Sequence, residues 1–442
     1  MLKDYNAVLS DTPGHTKTVV HSIKLRTTAP IRSSVYPVHL REIFDSEVEK
    51  LLELGIIRRS KFRFPVVLVK KSDGSHRLTV DFRMLNRFSE FDAEPAFNPD
   101  EDLHKFVVCK YFSEIDMTKA YHRVELDDES RPLTAFPTSK GLMEYTRLPF
   151  GLVTACATYA RLMRIVLSGI NGVTFYFDNV LIYSKSWDEH LNTLIKVFEA
   201  LKRHGLTAKP NKCNFGFSCV NYLGFLVWGD ELAPRKAKID AMSNVVPPTT
   251  RKGLRSFLGL ISFYRRFLPN LASLTAPLTG MLKKDTKEPM LYEKHQIECF
   301  DAISSALTSR PILKLPDLSK PFVVRSDSSG VAVGAMLLQY HDDMPFPVAY
   351  ASRKLTPSER NFSTVERECL AIIFSVHKFS VFLLGKPFIL EEDHRPLVYL
   401  SKMKNLNSRL ARWALCLQPH DYSLVYLPGV ENVGADYLSR SS

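Results

Sequence analysis

The chain has 442 residues, and its 59 lysines and arginines exceed its 47 acidic residues by 12. At roughly 150 residues per domain this length predicts about three domains. The composition, 45% hydrophobic and 24% charged, is ordinary for globular proteins and excludes wholesale disorder and a collagen-like fibre. No apolar run approaches the roughly 20 residues of a membrane-spanning helix, so we expect no membrane partner.

The cysteines and the net charge bear on compartment and partner. None of the seven cysteines forms a C-x-x-C pair, so neither a disulfide framework nor a zinc ribbon is indicated, and a reducing compartment is expected. No signal peptide is visible behind Lys3. The surplus of positive charge favours a polyanionic partner.

The sequence of the N-terminal third predicts an arm, a helix and a hairpin. Residues 1–35 lack periodicity and are expected to form an extended arm. Apolar residues at helical spacing predict a helix over 42–54 that ends at Gly55. Residues 64–71 and 76–82, joined by a Ser-Asp-Gly-Ser turn, predict a hairpin.

The middle of the chain predicts strands that end on acidic residues. Residues 111–116 form a short predicted strand that ends at Asp116. Residues 173–184 are apolar except around Asp178 and Asn179, which indicates two buried strands joined by a tight turn. An amphipathic helix follows over 190–204 and ends at Gly205.

Prolines mark two breaks, after which the pattern changes. Beyond Pro247-Pro248, residues 251–267 are basic, aromatic-rich and helical, with Phe257, Phe263 and Phe267 expected in the core. Beyond 311–321 an α/β pattern restarts, with these predicted elements: strands 322–327 and 331–340, helix 364–379, strand 388–392 and a helical tail. The sequence therefore predicts two α/β modules separated by a basic helical segment.

Two sets of acidic residues could carry chemistry. Asp116 and Asp178 lie at a strand end and in a tight turn, where carboxylates project from a sheet edge and can share a divalent metal. Taken alone, each is more typical of a turn or cap residue. The C-terminal module carries four acids, each of which in isolation is typical of a surface residue: Asp327, Glu368, Asp393 and Asp436. Four carboxylates around two cations are what hydrolysis of a phosphodiester needs.

Several blocks of sequence, in order, resemble the reverse transcriptases of gypsy-type LTR retrotransposon Pol proteins. The blocks are LTVDFRMLN at 78–86, YFSEID at 111–116 with AYH at 120–122, LPFGL at 148–152, YFDN at 176–179, and YLGF at 222–225. The four C-terminal acids, with YASRKL at 350–355 and ERNFST at 359–364, resemble the RNase H module that follows the polymerase in the same elements.

This resemblance implies an α/β (α+β) fold: a right-hand polymerase of fingers, palm and thumb, followed by an RNase H-like domain. The implied segments are an arm over 1–35, fingers and palm over 36–232, a basic thumb or linker over 233–310, and the RNase H-like domain over 311–442. Residues 235–284 would grip the phosphates of a duplex; the other interpretation is a solvated helical face.

The resemblance also implies roles for individual residues. Asp116 and Asp178 would bind metal, as would the four C-terminal acids, and Asn179 completes the first catalytic set. Arg77 with Lys70 or Lys71 would hold the incoming triphosphate, and Lys212 would lie near it. Tyr121 would close the sugar pocket, and Phe150 would also contact the nucleotide. Tyr222, Leu223 and Gly224 would support the primer end. Magnesium, with manganese as an alternative, would be the cofactor, and the partners would be RNA template, DNA primer, RNA–DNA hybrid and deoxynucleoside triphosphates.

One residue departs from the pattern of the resembled family. A second aspartate is expected where Asn179 stands, and Asn keeps an oxygen but loses a charge beside two cations. Loss of one electrostatic contributor can cost on the order of 100-fold in rate.

Three interpretations stay open: an RNA-directed DNA polymerase with ribonuclease H, a polymerase-impaired remnant that keeps ribonuclease H activity, and a non-catalytic nucleic-acid-binding domesticated protein. We expect the protein in the cytoplasm, inside element particles, or in the nucleus.

Overall fold

A computed structural model describes residues 2–27, 41–60, 66–70, 76–94, 99–235, 239, 246–269, 271–283, 286–309, 312–392 and 408–426. Its α-helices are α1 Arg41–Glu53, α2 Arg83–Phe88, α3 Pro99–Asp102, α4 Ala155–Val166, α5 Trp187–Arg203, α6 Arg251–Phe263, α7 Leu271–Leu274, α8 Ala276–Gly280, α9 Lys294–Thr308, α10 Thr364–Lys378, α11 Ser380–Leu383 and α12 Ser408–Leu417. Its strands are β1 Thr16–His21, β2 Ile57–Arg59, β3 Val66–Lys70, β4 His76–Val80, β5 Tyr111–Asp116, β6 Val124–Leu126, β7 Phe136–Thr138, β8 Gly141–Tyr145, β9 Val173–Tyr176, β10 Asn179–Ser184, β11 Asn214–Phe217, β12 Cys219–Tyr222, β13 Phe225–Trp228, β14 Glu231–Pro234, β15 Leu313–Lys314, β16 Phe322–Ser328, β17 Ala332–His341, β18 Met344–Lys354, β19 Phe388–Glu392 and β20 Tyr422–Tyr426.

The chain divides into two compact units. Unit 1 comprises residues 1–98 and 110–218, and unit 2 comprises residues 99–109 and 219–442. The longer segment of unit 2 begins at β12, whereas the sequence places the start of the basic segment at 233. The four segments expected from the sequence remain predictions.

The core of unit 1 forms around a four-stranded sheet of order β11-β5-β10-β9. Strand β10 pairs with both β5 and β9 in antiparallel register, which confirms the predicted strand over 111–116 and the pair of strands over 173–184. Helix α5 contacts β5 and β10 and buries Leu194, Val197, Phe198 and Leu201 at helical spacing. It starts three residues earlier than predicted because the Ser186 side chain accepts from the backbone N–H of Glu189.

The N-terminal residues are part of this core, in contrast to the extended arm that we expected. Strand β1 pairs in parallel with β6, and Val8 and Ile23 are buried in the hydrophobic cluster of unit 1. The partner strand lies about 100 residues away in sequence, so local periodicity could not indicate the pairing. Helix α1 and the β3–β4 hairpin confirm two other predictions; residues 71–75 of the hairpin turn lie outside the described residues.

Unit 2 contains a basic helical segment and two sheets. Helix α6 begins after Thr250, whose hydroxyl accepts from the N–H of Gly253. Phe257 and Phe267 are buried as expected, but Phe263 is 48% exposed, so the prediction of a core position was wrong for that ring. A small antiparallel sheet has the order β12-β13-β14-β15.

The C-terminal part of unit 2 is a five-stranded sheet of order β18-β17-β16-β19-β20. Helix α10 packs on β16 and β17, and its N-terminus has a capping box between Ser363 and Glu366. The predicted helical tail is only partly right. After α12 the chain forms β20, an edge strand that pairs in parallel with β19 and alternates half-buried and exposed residues.

None of the helices in the described part of the chain has the length and apolar character needed to cross a membrane.

Candidate active sites

The first candidate site lies at one end of the unit 1 sheet. Asp116 is the last residue of β5, and it pairs across the ladder with Asn179, the first residue of β10. Asp178 directly precedes Asn179, and its carbonyl accepts a 2.7 Å hydrogen bond from the N–H of Met117. Phe177 adopts a left-handed conformation (φ 47°), which makes the turn between β9 and β10 tight. The structure thus brings Asp116, Asp178 and Asn179 together at the joined ends of three strands.

The charges at this site come from two carboxylates and a lysine. The Lys212 Nζ lies 3.2 Å from Oδ2 of Asp116, as the sequence prediction of a lysine near the site requires. Partial burial raises the pKa of Asp116, while Lys212 opposes that rise and the neighbouring Asp178 adds to it. The Asp116 side chain is 18% exposed, and Asp178 is exposed. Asp178 therefore faces solvent at the end of the sheet, with the partly buried carboxylate of Asp116 beside it.

Two predicted pocket residues contact each other beside these acids. The Tyr121 ring meets the Phe150 ring edge-on, with centroids 5.1 Å apart, and also packs on Tyr159 at 5.6 Å. The Tyr121 hydroxyl hydrogen-bonds with Cys156 Sγ at 3.2 Å. Burial raises the pKa of Tyr121, with smaller contributions from Cys156 and Asp178, so the hydroxyl stays protonated. Tyr121 thus forms a fixed apolar wall next to the acids.

Sequence reasoning missed Arg123, which is fully buried beneath the site. Its Nε donates to the carbonyl of Thr118 at 2.8 Å, and its Nη2 donates to the carbonyl of Thr207. Burial lowers the pKa of this guanidinium to about 10, and the charges of Asp116 and Asp178 oppose that shift. Arg123 ties the segment after Asp116 to the loop before Lys212. The only sequence signal is its position directly after the Ala-Tyr-His block.

The predicted triphosphate-binding residues on the β3–β4 hairpin are only partly described. Lys70 ends β3 opposite His76, and Arg77 lies in β4 opposite Val69. Lys71 lies outside the described residues. The phosphate-binding roles of all three remain predictions.

The predicted primer-support residues form a tight turn in unit 2. Tyr222 ends β12, Leu223 and Gly224 take positive φ angles of 51° and 91°, and Phe225 starts β13. Tyr222 is buried, donates to Asp102 Oδ2 at 3.2 Å and meets Phe106 edge-on. A Cβ at Gly224 would lie 3.0 Å from the Phe263 ring. Both the backbone angle and this close approach therefore require glycine.

The second candidate site lies in the five-stranded sheet of unit 2. Asp327 is near the end of β16 and only 2% exposed, and Glu368 is on α10, which packs on β16, and is 7% exposed. Asp393 and Asp436 lie outside the described residues, although β19 ends at Glu392, directly before Asp393. Two of the four predicted acids are therefore placed on contacting elements, and the other two are not tested.

Two further acids on β19 were missed by sequence reasoning. Glu391 pairs with the Arg325 guanidinium at 2.6 Å, and the fully buried Glu392 accepts from the Ser326 hydroxyl. Both interactions join β19 to β16 through Arg325 and Ser326, the two residues that precede Asp327. A Glu-Glu-Asp run after an apolar strand was the available signal.

Both sites offer oxygen donors of the kind that Mg²⁺ prefers. Asp116 and Asp178 supply carboxylates, and Asn179 supplies an amide oxygen. The ammonium of Lys212 forms an ion pair with Asp116. Within the described ranges, no three His, Cys, Asp or Glu side chains group as a metal cluster. The two carboxylates of the first site and the two described acids of the second are the type of donor that fits magnesium.

Comparison with known proteins identifies two domains. Residues 69–227 match the reverse transcriptase (RNA-dependent DNA polymerase) family, and residues 317–422 match the RNase H-like domain found in reverse transcriptase. The Pol polyproteins of the Drosophila melanogaster transposons 297 and opus are 37% and 33% identical over 96% and 95% of the chain. A Schizosaccharomyces pombe Tf2-7 polyprotein is 34% identical over 93% of it. The chain spans less than half of each relative, 41%, 44% and 31% of their lengths.

Solved structures agree on the fold. The foamy viral protease–reverse transcriptase in complex with double-stranded DNA gives a TM-score of 0.86 at 24% identity, covering 96% of this chain and 92% of that one. The same protein in complex with an RNA/DNA hybrid gives 0.84 at 25% identity, covering 98% and 60%. The fold is thus that of a right-hand polymerase followed by an RNase H-like α/β domain. Residues 69–227 thus form a reverse transcriptase domain and residues 317–422 an RNase H-like domain, and the chain as a whole is similar to gypsy-type transposon Pol polyproteins.

Proposed function

We propose that this chain is an RNA-directed DNA polymerase joined to a ribonuclease H that cleaves the RNA of an RNA–DNA hybrid. The observation that carries the polymerase half is the convergence of Asp116, Asp178 and Asn179 at the joined ends of β5, β9 and β10. The placement of Asp327 and Glu368 on contacting elements supports the nuclease half. Template, primer, hybrid and deoxynucleoside triphosphates are the proposed partners.

In the polymerase half, Asp116, Asp178 and the amide oxygen of Asn179 would hold Mg²⁺. Such ions, when bound, supply Lewis acidity for the attacking 3′-hydroxyl and for the leaving pyrophosphate. Lys212 forms an ion pair with Asp116 and would keep this carboxylate ionised. Tyr121, fixed edge-on against Phe150, would close the sugar pocket against a 2′-hydroxyl.

In the nuclease half, Asp327 and Glu368 would hold the ions together with Asp393 and Asp436. Deep burial keeps the first two carboxylates in one place, which is what positioning of a water and a phosphodiester requires. The contacts of Arg325 with Glu391 and of Ser326 with Glu392 would hold β16 and β19, the strands that lead into Asp327 and Asp393.

Asn179 favours a second candidate function, a polymerase-impaired protein whose main activity is hybrid cleavage. The first site has two carboxylates where the pattern of the resembled family has three, whereas none of the four nuclease acids is replaced. A protein of this kind would degrade RNA in hybrids and would extend primers slowly.

The test separates the two halves with one substitution in each. Primer extension on an RNA template and cleavage of a labelled hybrid are measured with Mg²⁺ for the full chain, Asp116→Asn, Asp327→Asn and the exposed control Asp11→Asn. We expect Asp116→Asn to lose extension alone and Asp327→Asn to lose cleavage alone, each on the order of 100-fold or more. Cleavage without measurable extension in the unsubstituted chain would select the second candidate, and neither activity would contradict both.

A further inference from the structure

A cavity of about 210 cubic Å lies in unit 2, and its described lining includes no residue assigned to the candidate sites. Its apolar lining comes from the bend between α7 and α8, from α9 and from the start of β17, and consists of Ala272, Leu274, Ala276, Pro277, Cys299, Val331 and Ala332. An apolar cavity of roughly 150 cubic Å stays dry and takes up benzene. This cavity therefore has room for an apolar body of about eight carbon atoms.

One buried hydroxyl in the lining has no hydrogen-bond partner. Ser273 is only 6% exposed, and across the described part of the chain its Oγ finds no donor or acceptor. Burial of a hydroxyl without a partner costs free energy, and native proteins leave few such groups. The Ser273 hydroxyl is therefore a point at which the cavity can hydrogen-bond with a polar atom of a ligand.

Two cationic side chains complete the lining. Lys354, at the end of β18, is half-buried, and Arg360, in the short turn before α10, is exposed. The Lys354 Nζ donates to the carbonyl of Ala276 at 2.9 Å and to the hydroxyl of Thr279, which accounts for two of its three N–H groups. Burial lowers the pKa of Lys354, and the charge of Arg360 lowers it further. The two cations are thus close enough to repel each other.

The described lining contains no acidic side chain that could balance these cations. Glu359 is adjacent to Arg360 in sequence, but both of its carboxylate oxygens accept from the Arg353 guanidinium, at 2.8 and 2.9 Å. An anionic group near Lys354 and Arg360 would relieve their repulsion. The cavity therefore combines an apolar interior with an edge that favours an anion.

Contacts within unit 2 hold the walls of the cavity in place. Helix α9 packs on both α7 and α8, and α7 packs on β18. The N–H of Ala272 donates to Ser352 Oγ at 3.0 Å, and the N–H of Leu355 donates to the carbonyl of Val331 at 2.8 Å. Because the cavity is formed before a ligand enters, the entropic cost of binding is low.

We propose that this cavity binds an amphiphilic carboxylate, a small molecule with one carboxylate group and an apolar body of about eight carbon atoms. The apolar body fills the space between α7, α8, α9 and β17. The carboxylate accepts from Arg360 and Lys354, since a guanidinium matches the planar geometry of a carboxylate. The Ser273 hydroxyl gains the partner that it lacks. The site is independent of the proposed function, because none of these side chains takes part in extension or cleavage.

The experiment titrates the full chain with octanoate, octan-1-ol and octylammonium in a calorimeter, without nucleic acid or metal. Octanoate should bind, and octylammonium should bind at least about tenfold more weakly because its charge is repelled. Arg360→Gln should weaken octanoate binding about threefold, as expected for a partly exposed ion pair, and leave octan-1-ol binding unchanged. The matched control is Lys294→Gln on α9, whose side chain is 92% exposed, and it should change neither affinity. No binding of octanoate, equal binding of octylammonium, or an unchanged octanoate affinity in Arg360→Gln would each overturn the proposal.

Two further variants locate the ligand in the cavity. Ser273→Ala should weaken octanoate binding about tenfold, because a hydrogen bond to a charged group is lost. It should not lower the unfolding temperature of the free protein, since the hydroxyl has no partner to lose. Ala276→Phe should fill the cavity and abolish binding of both octanoate and octan-1-ol.

Octanoate binding at full affinity by Ala276→Phe would place the ligand elsewhere and overturn the proposal. A lower unfolding temperature of Ser273→Ala together with an unchanged octanoate affinity would overturn it as well, because the hydroxyl would then be bonded within the protein. Since binding is measured without nucleic acid, a chain that binds octanoate but neither extends nor cleaves would contradict the proposed function alone.

Discussion

The two candidate sites differ in how their acids relate to the core. Asp178 is exposed in the turn between β9 and β10, and Asp116, at the end of β5, is partly exposed beside it. Asp327 and Glu368 are almost completely buried between a sheet and a helix. At the first site a carboxylate can therefore be replaced, as at Asn179, without loss of packing. At the second site the acids are part of the packed interior of their domain. This contrast explains why the two sites can diverge within one chain.

The largest expected effect comes from restoring the missing carboxylate. Asn179→Asp should raise the rate of primer extension on the order of 100-fold, because a negative charge beside the proposed metals is regained. Hybrid cleavage and the thermal unfolding temperature should stay unchanged, because Asn179 is half-buried at a sheet end and isosteric with Asp. Steady-state extension kinetics and calorimetry check both points. Equal extension by the two proteins would show that the site functions with an amide.

A second prediction compares the response to acid of one titratable group in each unit. His21 is buried in unit 1, hydrogen-bonds with Thr158 at 2.7 Å, and has its pKa lowered to about 4, chiefly by burial. The unfolded chain takes up a proton near pH 6.5, so the stability of unit 1 falls as pH drops from about 6.5 to about 4, by up to about 3 kcal/mol. Hydrogen exchange of unit 1 peptides measures the loss. A His21→Asn variant should show a smaller slope in this window, and an equal slope would exclude His21 as the cause.

One ion pair of unit 2 should respond in a lower pH window than His21 does. The Arg353 guanidinium contacts both carboxylate oxygens of Glu359, at 2.8 and 2.9 Å, and lowers the pKa of that acid to about 2. A lowered acid pKa stabilises the fold above the unfolded value near 4.3, and the benefit disappears as pH falls from there towards 2. Glu359→Gln should cost about 1–2 kcal/mol at pH 7, measured by urea unfolding. The control is Glu298→Gln, which removes an exposed 3.8 Å ion pair with Lys294 and should leave the free energy of unfolding almost unchanged.

Sequence predicted local elements and site residues better than it predicted long-range pairing. Strand β5 was predicted with its true bounds because its apolar run ends on an acid. Strand β1 was missed because its partner β6 is remote in sequence, and β20 was missed because pairing with β19 decides its conformation. Arg123 was missed for a similar reason, since burial of a charged side chain depends on the carbonyls that surround it. Alternation and motifs are local signals, and they carry no information about such tertiary partners.

The smallest expected effect concerns the lysine on the exposed site. Lys212 holds down the pKa of Asp116, which partial burial raises, so Lys212→Met should raise that pKa further. Extension should then decline on the order of twofold at acidic pH and stay unchanged at alkaline pH, because an exposed ion pair contributes about 0.2–1 kcal/mol. A pH–rate profile measures this, with Lys196→Met, exposed on α5, as the control. If Lys212→Met instead lowers extension equally at all pH values and raises the KM for nucleotide, the ammonium acts on the triphosphate and not on Asp116. In that case contacts with the substrate would support activity at the polymerase site. At the nuclease site, by contrast, burial in the fold holds the acids in place.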